Sequence, residues 1–179
     1  MTPVQPSFGP IPTPAAVVAA PQGRFTVLTS RLIRLEYSPT ETFEDRASQA
    51  FWFRRQPLPA FDARQSADHI EIETEHLLLR YRPNPRGFTP NALTIHVKAT
   101  GITWAFADHA WKSANLFGTT RTLDVTNGHA KLEPGLMSRN GWAIVDDSRS
   151  LVFDETGWLT ARTLPDNLDL YFFGYGHDY

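Results

Sequence analysis

The chain has 179 residues, a net charge of −2 and no cysteine, so its length suits one domain without disulfide bonds or thiolate metal sites. The near-neutral charge and the lack of a Lys/Arg-rich block argue against nucleic acid and anionic membranes as partners. The longest early apolar run, Ala15 to Ala20, is too short for a membrane span and lacks the charged flank of a signal peptide. The compartment is therefore left open, with the cytoplasm favoured.

The first segment, residues 1–23, is rich in proline and alanine. Each proline fixes φ and removes a backbone donor, so no regular element is expected to run through the segment. We predict an extended or disordered tail, or a strap along a surface, with a short ordered piece near residues 16–20.

From residue 24 onward, apolar and polar residues alternate, which is typical of half-buried strands. Ile33 and Leu35 fall on one face, and Arg34 and Glu36 fall on the other. The pattern predicts strands at residues 24–30, 31–38, 50–55, 69–74, 76–82, 93–97, 102–106, 142–147, 150–154, 157–162 and 168–176.

Short strands separated by Gly, Pro, Asn or Asp indicate an all-β sandwich or barrel, because no long stretch shows a helical period. Residues 69–74 and 76–82 are predicted to form a hairpin, whereas residues 57–68, with two prolines, are predicted to be a connection. Residues 107–135 show weak strand character, and long irregular segments of this kind are often functional.

The adjacent carboxylates Asp146 and Asp147 suggest acid–base chemistry at first sight. Successive strand residues point to opposite faces, whereas glycoside hydrolysis needs two carboxylates about 5–10 Å apart on one cleft. We interpret residues 145–148 as a hairpin turn. No histidine pair has metal-binding spacing, so we expect no catalytic residue, metal or cofactor.

A more promising polar group is the run Arg139, Asn140 and Trp142, on a loop held by Gly135 and Gly141. A guanidinium, an amide and an indole suit sugar hydroxyls and sugar faces. An ordinary turn, in which a residue takes positive φ and the arginine pairs locally, explains the same pattern.

Four stretches together resemble the N-terminal region of glycoside hydrolase family 31, which contains α-glucosidases and α-xylosidases. They occur in the family's order and span residues 24–179. They are RFTVLTSRLIRLEYSPTETFEDRASQAF, NLFGTTRTLD, LEPGLMSRNGWAIVDDSRSLVF and DLYFFGYGHDY.

The resemblance implies an antiparallel β-sandwich like galactose mutarotase at residues 24–173, with residues 174–179 starting a linker to a (β/α)₈ catalytic barrel that this sequence does not include. Both catalytic aspartates of the family lie on that barrel, so this chain alone is expected to be inactive. In maltase-type members the N-terminal domain lends an Arg-Asp loop to substrate. Arg139 and Asn140 match it by position, with Asn replacing Asp and losing a charge-assisted hydrogen bond.

The expected partners are thus the barrel and an α-linked oligosaccharide, contacted through Arg139, Asn140 and Trp142. The exposed barrel-facing patch also implies self-association. Two alternatives stay open: a purely structural domain, and a free-standing carbohydrate-binding module with a tryptophan platform at Trp104, Trp111 or Trp158.

Overall fold

The computed structural model describes residues 7–120, 122, 124 and 126–178. Residues 1–6 of the predicted tail and Tyr179 of the predicted linker lie outside the described residues, as do Arg121 and Leu123 of the second motif. The described part contains a 3-10 helix, Pro14–Ala16, and one short α-helix, α1 (Ala110–Ser113). Its strands in chain order are β1 (Val17–Ala20), β2 (Gly23–Thr29), β3 (Leu32–Tyr37), β4 (Phe61–Gln65), β5 (Ile70–Thr74), β6 (Leu77–Tyr81), β7 (Leu93–Val97), β8 (Ile102–Ala105), β9 (Trp142–Asp146), β10 (Val152–Phe153), β11 (Leu159–Thr160) and β12 (Leu168–Gly174).

Two five-stranded sheets make up the body of the described part of the chain. Sheet A has the order β1-β2-β3-β12-β9, and sheet B has the order β4-β5-β6-β7-β8. A small hairpin, β10-β11, lies beside them. The strand pairs of both sheets are antiparallel, and the inner faces of the sheets share one apolar core. The predicted all-β antiparallel sandwich is therefore confirmed.

Side-chain alternation determines which residues enter this core. On β5, Ile70 and Ile72 are buried whereas Glu71 and Glu73 are only partly covered, as the period-two pattern predicts. Removing each such aliphatic side chain from water contributes about 1.5–3 kcal/mol. Neighbouring strands of sheet B supply Leu79 and Ile95, and the facing sheet A supplies Phe25, Val27, Ile33, Leu35 and Phe172.

The outer face of sheet A is buried as well, which the alternation does not predict. Arg34 and Glu36 were expected on a solvent-facing side, yet both are buried on β3. Residues 43–55, called the covering segment from here on, cross this face. Within it, Phe51 stacks on Tyr171 of β12 at 3.5 Å between ring centroids. Sheet A therefore lies between the core and a polar layer under the covering segment.

Two predictions between residues 50 and 68 are wrong, one of a strand and one of a connection. Residues 50–55 form no strand, because they belong to the covering segment; only Phe53 makes an isolated bridge, to Gly9. The apolar character of residues 50–55 has another explanation, because Trp52 packs on Phe8 and Phe153. Conversely, β4 lies within the predicted connection and pairs with β5 through its backbone, although its side chains are mostly exposed.

The predicted hairpin around Asp146 and Asp147 is also wrong in its pairing. A turn does follow β9, and the Ser148 amide donates to Asp146 Oδ1 at 3.0 Å. However, β9 pairs with β12, and β10 pairs with β11. The turn therefore connects two separate sheets, and this places Asp147 between them and the covering segment.

The N-terminal segment is ordered where the short piece was expected. The 3-10 helix Pro14–Ala16 leads into β1, which pairs antiparallel with β2. Earlier still, Gly9 accepts hydrogen bonds from the amides of Arg54 and Arg55 at 2.6 and 2.9 Å. The segment thus includes an edge strand of sheet A and a strap bound to the covering segment.

The described residues of the long segment between β8 and β9 are irregular, as predicted, apart from α1 and isolated bridges such as Asn115 to Ser138. It ends at the turn that carries the sequence-predicted site. Among the described residues, no helix has the length and apolar character needed to cross a membrane.

Candidate functional site

The candidate site is the loop Ser138–Arg139–Asn140–Gly141, which enters β9. The Gly141 amide donates to Ser138 O at 3.1 Å, and Ser138 Oγ donates to Trp142 O at 2.7 Å. Gly141 has φ +75°, and a Cβ there would lie 2.6 Å from Gly176 O. The glycine is therefore required both by the backbone conformation and by the close approach of the C-terminal segment.

The long segment holds the loop from one side. Arg139 N donates to Ala114 O, and Leu116 N donates to Met137 O, each at 2.9 Å. The buried amide of Asn115 adds a second clamp, because its Nδ2 donates to Gly135 O at 2.8 Å. These bonds fix the backbone of the loop without using its polar side chains.

The C-terminal segment holds the loop from the other side. Tyr175 Oη accepts a 2.6 Å hydrogen bond from Ser138 N and donates to Leu136 O at 2.9 Å. The amide of Gly176 donates to Gly141 O at 2.8 Å. The chain that follows β12 therefore leaves the sandwich directly beside the loop.

The two polar side chains of the loop lie at the surface. Arg139 is exposed and Asn140 is half-buried. Among the described residues, no hydrogen-bond or ion-pair partner holds the Arg139 guanidinium, so the local pairing expected of an ordinary turn is not seen. The loop thus presents guanidinium and amide donors to solvent on a fixed backbone.

Trp142 does not share that surface. It is fully buried, and its ring lies parallel to that of Phe172 at 5.9 Å between centroids and 6.4 Å from Trp104. The side chain belongs to the core between the sheets and presents no face to a sugar. Of the sequence-predicted site residues, the structure brings only Arg139 and Asn140 together at the surface.

The long segment that leads into the loop carries several exposed apolar side chains. They are roughly half exposed, with Phe117 at 47% and Met137 at 45%. We call this group the apolar patch, and its members are Leu116, Phe117, Leu132, Leu136 and Met137. Clustered exposed apolar residues of this kind mark interaction surfaces more often than scattered ones do.

The acidic neighbours Asp146 and Asp147 do not act as a pair. Asp146 is exposed, whereas Asp147 is buried and accepts a 2.7 Å hydrogen bond from Arg162 through Oδ2. Arg54 Nη2 lies 3.9 Å from the same oxygen. Burial raises the pKa of Asp147. Its side chain contacts arginines rather than a cleft, so the structure offers no carboxylate pair at this turn.

Asp147 belongs to a buried ionic cluster on the outer face of sheet A, which sequence reasoning missed. Arg34 donates to both oxygens of Asp169 at 2.7 Å, and Arg162 Nη1 reaches Asp169 Oδ2 at 3.0 Å. Glu36 and Arg54 also belong to the cluster, and Arg24 pairs with Glu36 at its edge. The one sequence signal was that β3 and β12 both carry charges within otherwise apolar runs.

No metal centre is found among the described residues, where no group of three or more His, Asp or Glu side chains could hold an ion. The imidazole of His76 contacts two polar side chains. Its Nε2 lies 2.9 Å from Arg31 Nη2 and its Nδ1 lies 3.1 Å from Ser30 Oγ. Because arginine only donates, Nε2 accepts and Nδ1 carries the proton toward Ser30. His76 therefore does not act as a base toward Ser30.

The three tryptophans considered as sugar platforms differ sharply in exposure. Trp104 is buried in the core, and Trp111 is partly buried against it. Trp158 is 76% exposed, in the turn of the β10-β11 hairpin. Only Trp158 of the three offers an open ring face.

No protein-family model matches the chain, and no curated protein matches it.

Proposed function

We propose that this chain is the non-catalytic N-terminal β-sandwich domain of a retaining α-glycosidase of the glycoside hydrolase family 31 type. In this proposal the sandwich has the galactose-mutarotase-like architecture and packs on a (β/α)₈ barrel that carries both catalytic aspartates. The domain lends Arg139 and Asn140 to the substrate pocket, where an α-linked oligosaccharide is bound.

The observation that carries the proposal is the presentation of the loop. Hydrogen bonds from the long segment and from Tyr175 fix its backbone, while Arg139 remains exposed and without a partner among the described residues. Rigid backbone with free polar side chains is what a binding loop needs, because little conformational entropy is lost when a ligand is bound. A purely structural turn has no need of this arrangement.

The position of the loop agrees with a role at a domain boundary. Gly176 lies against Gly141, so a barrel that follows in the chain would begin beside Arg139 and Asn140. The apolar patch flanks the same loop. In the proposed enzyme the barrel covers this patch, and the loop reaches the rim of the barrel, where substrate enters.

The chemistry of the two side chains suits a positioning role rather than a catalytic one. Arg139 supplies several N–H donors in a planar fork, and the amide of Asn140 both donates and accepts. Such groups hold sugar hydroxyls in orientation, and misplaced substrate reacts more slowly even when the catalytic groups are intact.

The test begins with the gene, which must continue past Tyr179 into a barrel. In that longer chain, Arg139→Ala and Asn140→Ala are each expected to lower kcat/KM for an aryl α-glucoside or α-xyloside about tenfold. Arg149→Ala is a matched control, because Arg149 is also an exposed arginine in a turn next to β9. A reading frame that stops at Tyr179, or unchanged kcat/KM in both variants, would overturn the proposal.

A second candidate function is favoured by the exposure of Trp158. An indole ring open to solvent at a hairpin tip is the platform of a free-standing carbohydrate-binding module. Calorimetric titration of the 179-residue chain with maltose and isomaltose separates the two functions. Binding that is lost in Trp158→Ala and retained in Arg139→Ala would favour the module, and the opposite pattern would favour the glycosidase domain.

A further inference from the structure

At the open side of the sandwich, a cleft separates the edge strands β8 and β9. Its volume is about 210 Å³, and an apolar cavity of about 150 Å³ is enough to hold benzene. The cleft therefore has room for one six-membered ring with a short substituent. It lies at the end of β9 away from the loop with Arg139, about 13 Å along the strand by its rise per residue.

The walls of the cleft are apolar because of strand register. Trp142, Ile144 and Asp146 alternate onto the inner face of β9, and Asp146 is directly opposite Leu170 on β12. Ile144 and Leu170 line the cleft on the side of sheet A. Trp104 on β8 also borders the cleft, but its ring is buried. The apolar side chains that remain partly accessible there are Phe106, Ile144 and Leu168, so a ring that enters the cleft meets these.

Two carboxylates stand at this apolar cleft. Asp146 and Asp108 both line it. The Asp146 side chain accepts from the Ser148 amide at 3.0 Å, and the Asp108 side chain accepts from the Ala110 amide at 2.8 Å. Each of these bonds uses one carboxylate oxygen, Oδ1. Because a backbone amide is neutral, the negative charge of each carboxylate remains uncompensated.

The cleft has no cation of its own. None of the described residues that line it is Lys or Arg, and neither Asp108 nor Asp146 forms an ion pair with a described residue. The imidazole of His109 is the one other titratable group on the walls. An apolar site with two unpaired carboxylates is electrostatically complementary to a positively charged ligand with an apolar body.

We propose that this cleft is a binding site for a small organic cation, with its ring against Phe106 and Ile144 and its ammonium group at Asp108 and Asp146. The site is independent of the proposed glycosidase role, because it shares no residue with the loop that carries Arg139 and Asn140. The volume suits a single-ring ammonium compound rather than a peptide segment.

The experiment compares two probes of nearly equal shape, benzylammonium and benzyl alcohol, by calorimetric titration of the full chain at pH 8 and low ionic strength. Benzylammonium is expected to bind about tenfold more tightly, because it adds a charge–charge attraction to the hydrogen bond that either probe can donate to a carboxylate. Added salt should reduce this difference. Equal affinities, or no binding of benzylammonium at millimolar concentration, would overturn the proposal.

The variant Asp108→Asn/Asp146→Asn locates the site. The amide oxygens can still accept the Ser148 and Ala110 hydrogen bonds, so the backbone turns are retained. Benzylammonium affinity should fall to that of benzyl alcohol, with benzyl alcohol unchanged. Asp62→Asn is the matched control, because Asp62 is exposed on β4, the opposite edge of sheet B. A charge preference that survives the double variant would contradict the proposal.

A second variant keeps the test decisive if the double variant does not fold. Ile144→Phe enlarges a half-buried side chain on the cleft wall, so it should weaken both probes to a similar extent. Circular dichroism establishes that the fold is retained. Unchanged binding of both probes in folded Ile144→Phe would show that they bind elsewhere.

Discussion

Arg34 on β3 and Asp169 on β12 form a doubly hydrogen-bonded ion pair, with Nε and Nη2 each 2.7 Å from one carboxylate oxygen. The two residues lie on adjacent strands of sheet A, where Arg34 is opposite Tyr171 and Asp169 is opposite Glu36, and they are 135 positions apart in the sequence. Both are buried under the covering segment, whose Glu44 carbonyl accepts a further bond from Arg34 at 2.9 Å. The pair therefore joins the first and last parts of the chain and fixes the cover over them.

Removing one partner of this pair should destabilise the domain severely. Asp169→Ala removes the doubly hydrogen-bonded partner of buried Arg34 and leaves it only Glu36, at 3.0 Å, as a carboxylate partner among the described residues, and breaking a buried pair in this way costs about 3–5 kcal/mol. Glu71→Ala is the comparison, since Glu71 pairs with exposed Arg64 and Arg80 and exposed pairs contribute about 0–1 kcal/mol. Urea unfolding followed by circular dichroism measures both. Similar losses in the two variants would mean that burial adds nothing to the Arg34–Asp169 pair.

The carboxylate of Asp169 should make the free energy of unfolding depend on pH. Burial favours the neutral form of Asp169, but the charge and hydrogen bonds of Arg34 outweigh it and hold the pKa below its usual value. The pKa of an aspartate in the unfolded chain is about 3.9. Because the pKa of Asp169 is lower in the folded chain, its ionised form stabilises the fold fully above about pH 3.9, and this stabilisation is lost as the pH falls through the folded-state pKa. The stability difference between the native chain and Asp169→Asn should therefore shrink below about pH 4. A difference that stays constant from pH 7 to pH 3 would exclude this linkage.

Trp142 and Trp158 should respond to truncation in opposite ways. Trp142→Ala removes a fully buried ring from between the sheets, and losses of this kind cost about 3–5 kcal/mol. Trp158→Ala removes a ring that is 76% exposed, so its effect should stay within about 0.5 kcal/mol. Thermal unfolding compares them. A stable Trp142→Ala variant would contradict the placement of this residue in the core.

Gly141 and Gly101 allow steric contact to be separated from backbone strain. Both have positive φ, but a Cβ at Gly141 would lie 2.6 Å from Gly176 O, whereas nothing lies within 4 Å at Gly101. Gly101→Ala should cost about 1–2 kcal/mol for the left-handed conformation. Gly141→Ala should cost more and should release the C-terminal segment from the loop. Faster proteolysis after residue 174 in Gly141→Ala, relative to Gly101→Ala, is the expected readout; equal rates would mean that the contact with Gly176 does not anchor the segment.

The apolar patch should drive self-association of the isolated chain. Phe117→Ser and Met137→Ser each remove apolar surface that is roughly half exposed, so the apparent mass in light scattering should fall toward that of a 20.2 kDa monomer. Ile102→Ser is the control, because Ile102 is an exposed apolar residue on β8, outside the patch. A native chain that is monomeric at high concentration would count against the patch as an interface.

The sequence predicts the sheets well where one face of a strand is buried and the other is exposed to solvent. The alternation of Ile70 and Ile72 with glutamates specifies β5 and its register, because burial and period coincide there. β4 gives no such signal, since its side chains are exposed and only its backbone is paired. Residues 50–55 give a false strand signal, because the apolar side chains of Trp52 and Phe53 lie outside the sheets.

The candidate site was predictable in part. Arg139 and Asn140 stand out as polar residues beside glycines, and the structure leaves them at the surface. Trp142 follows them in sequence but is the first residue of β9, and strand alternation turns it inward. The ionic cluster could not be predicted, because Asp147 and Arg162 are brought together by tertiary contacts, and no local pattern records which charges will be covered.

The position of β12 in sheet A has a consequence for synthesis on the ribosome. Sheet B consists of strands that follow one another in the chain, so its hairpins can form as they emerge. Sheet A has β12 between β3 and β9, and it can close only after residue 174 has left the exit tunnel. Until then β3 exposes an unpaired edge and Arg34 lacks Asp169. Late, non-local closure of this kind is slow, so the nascent domain should depend on chaperones until its last strand is inserted.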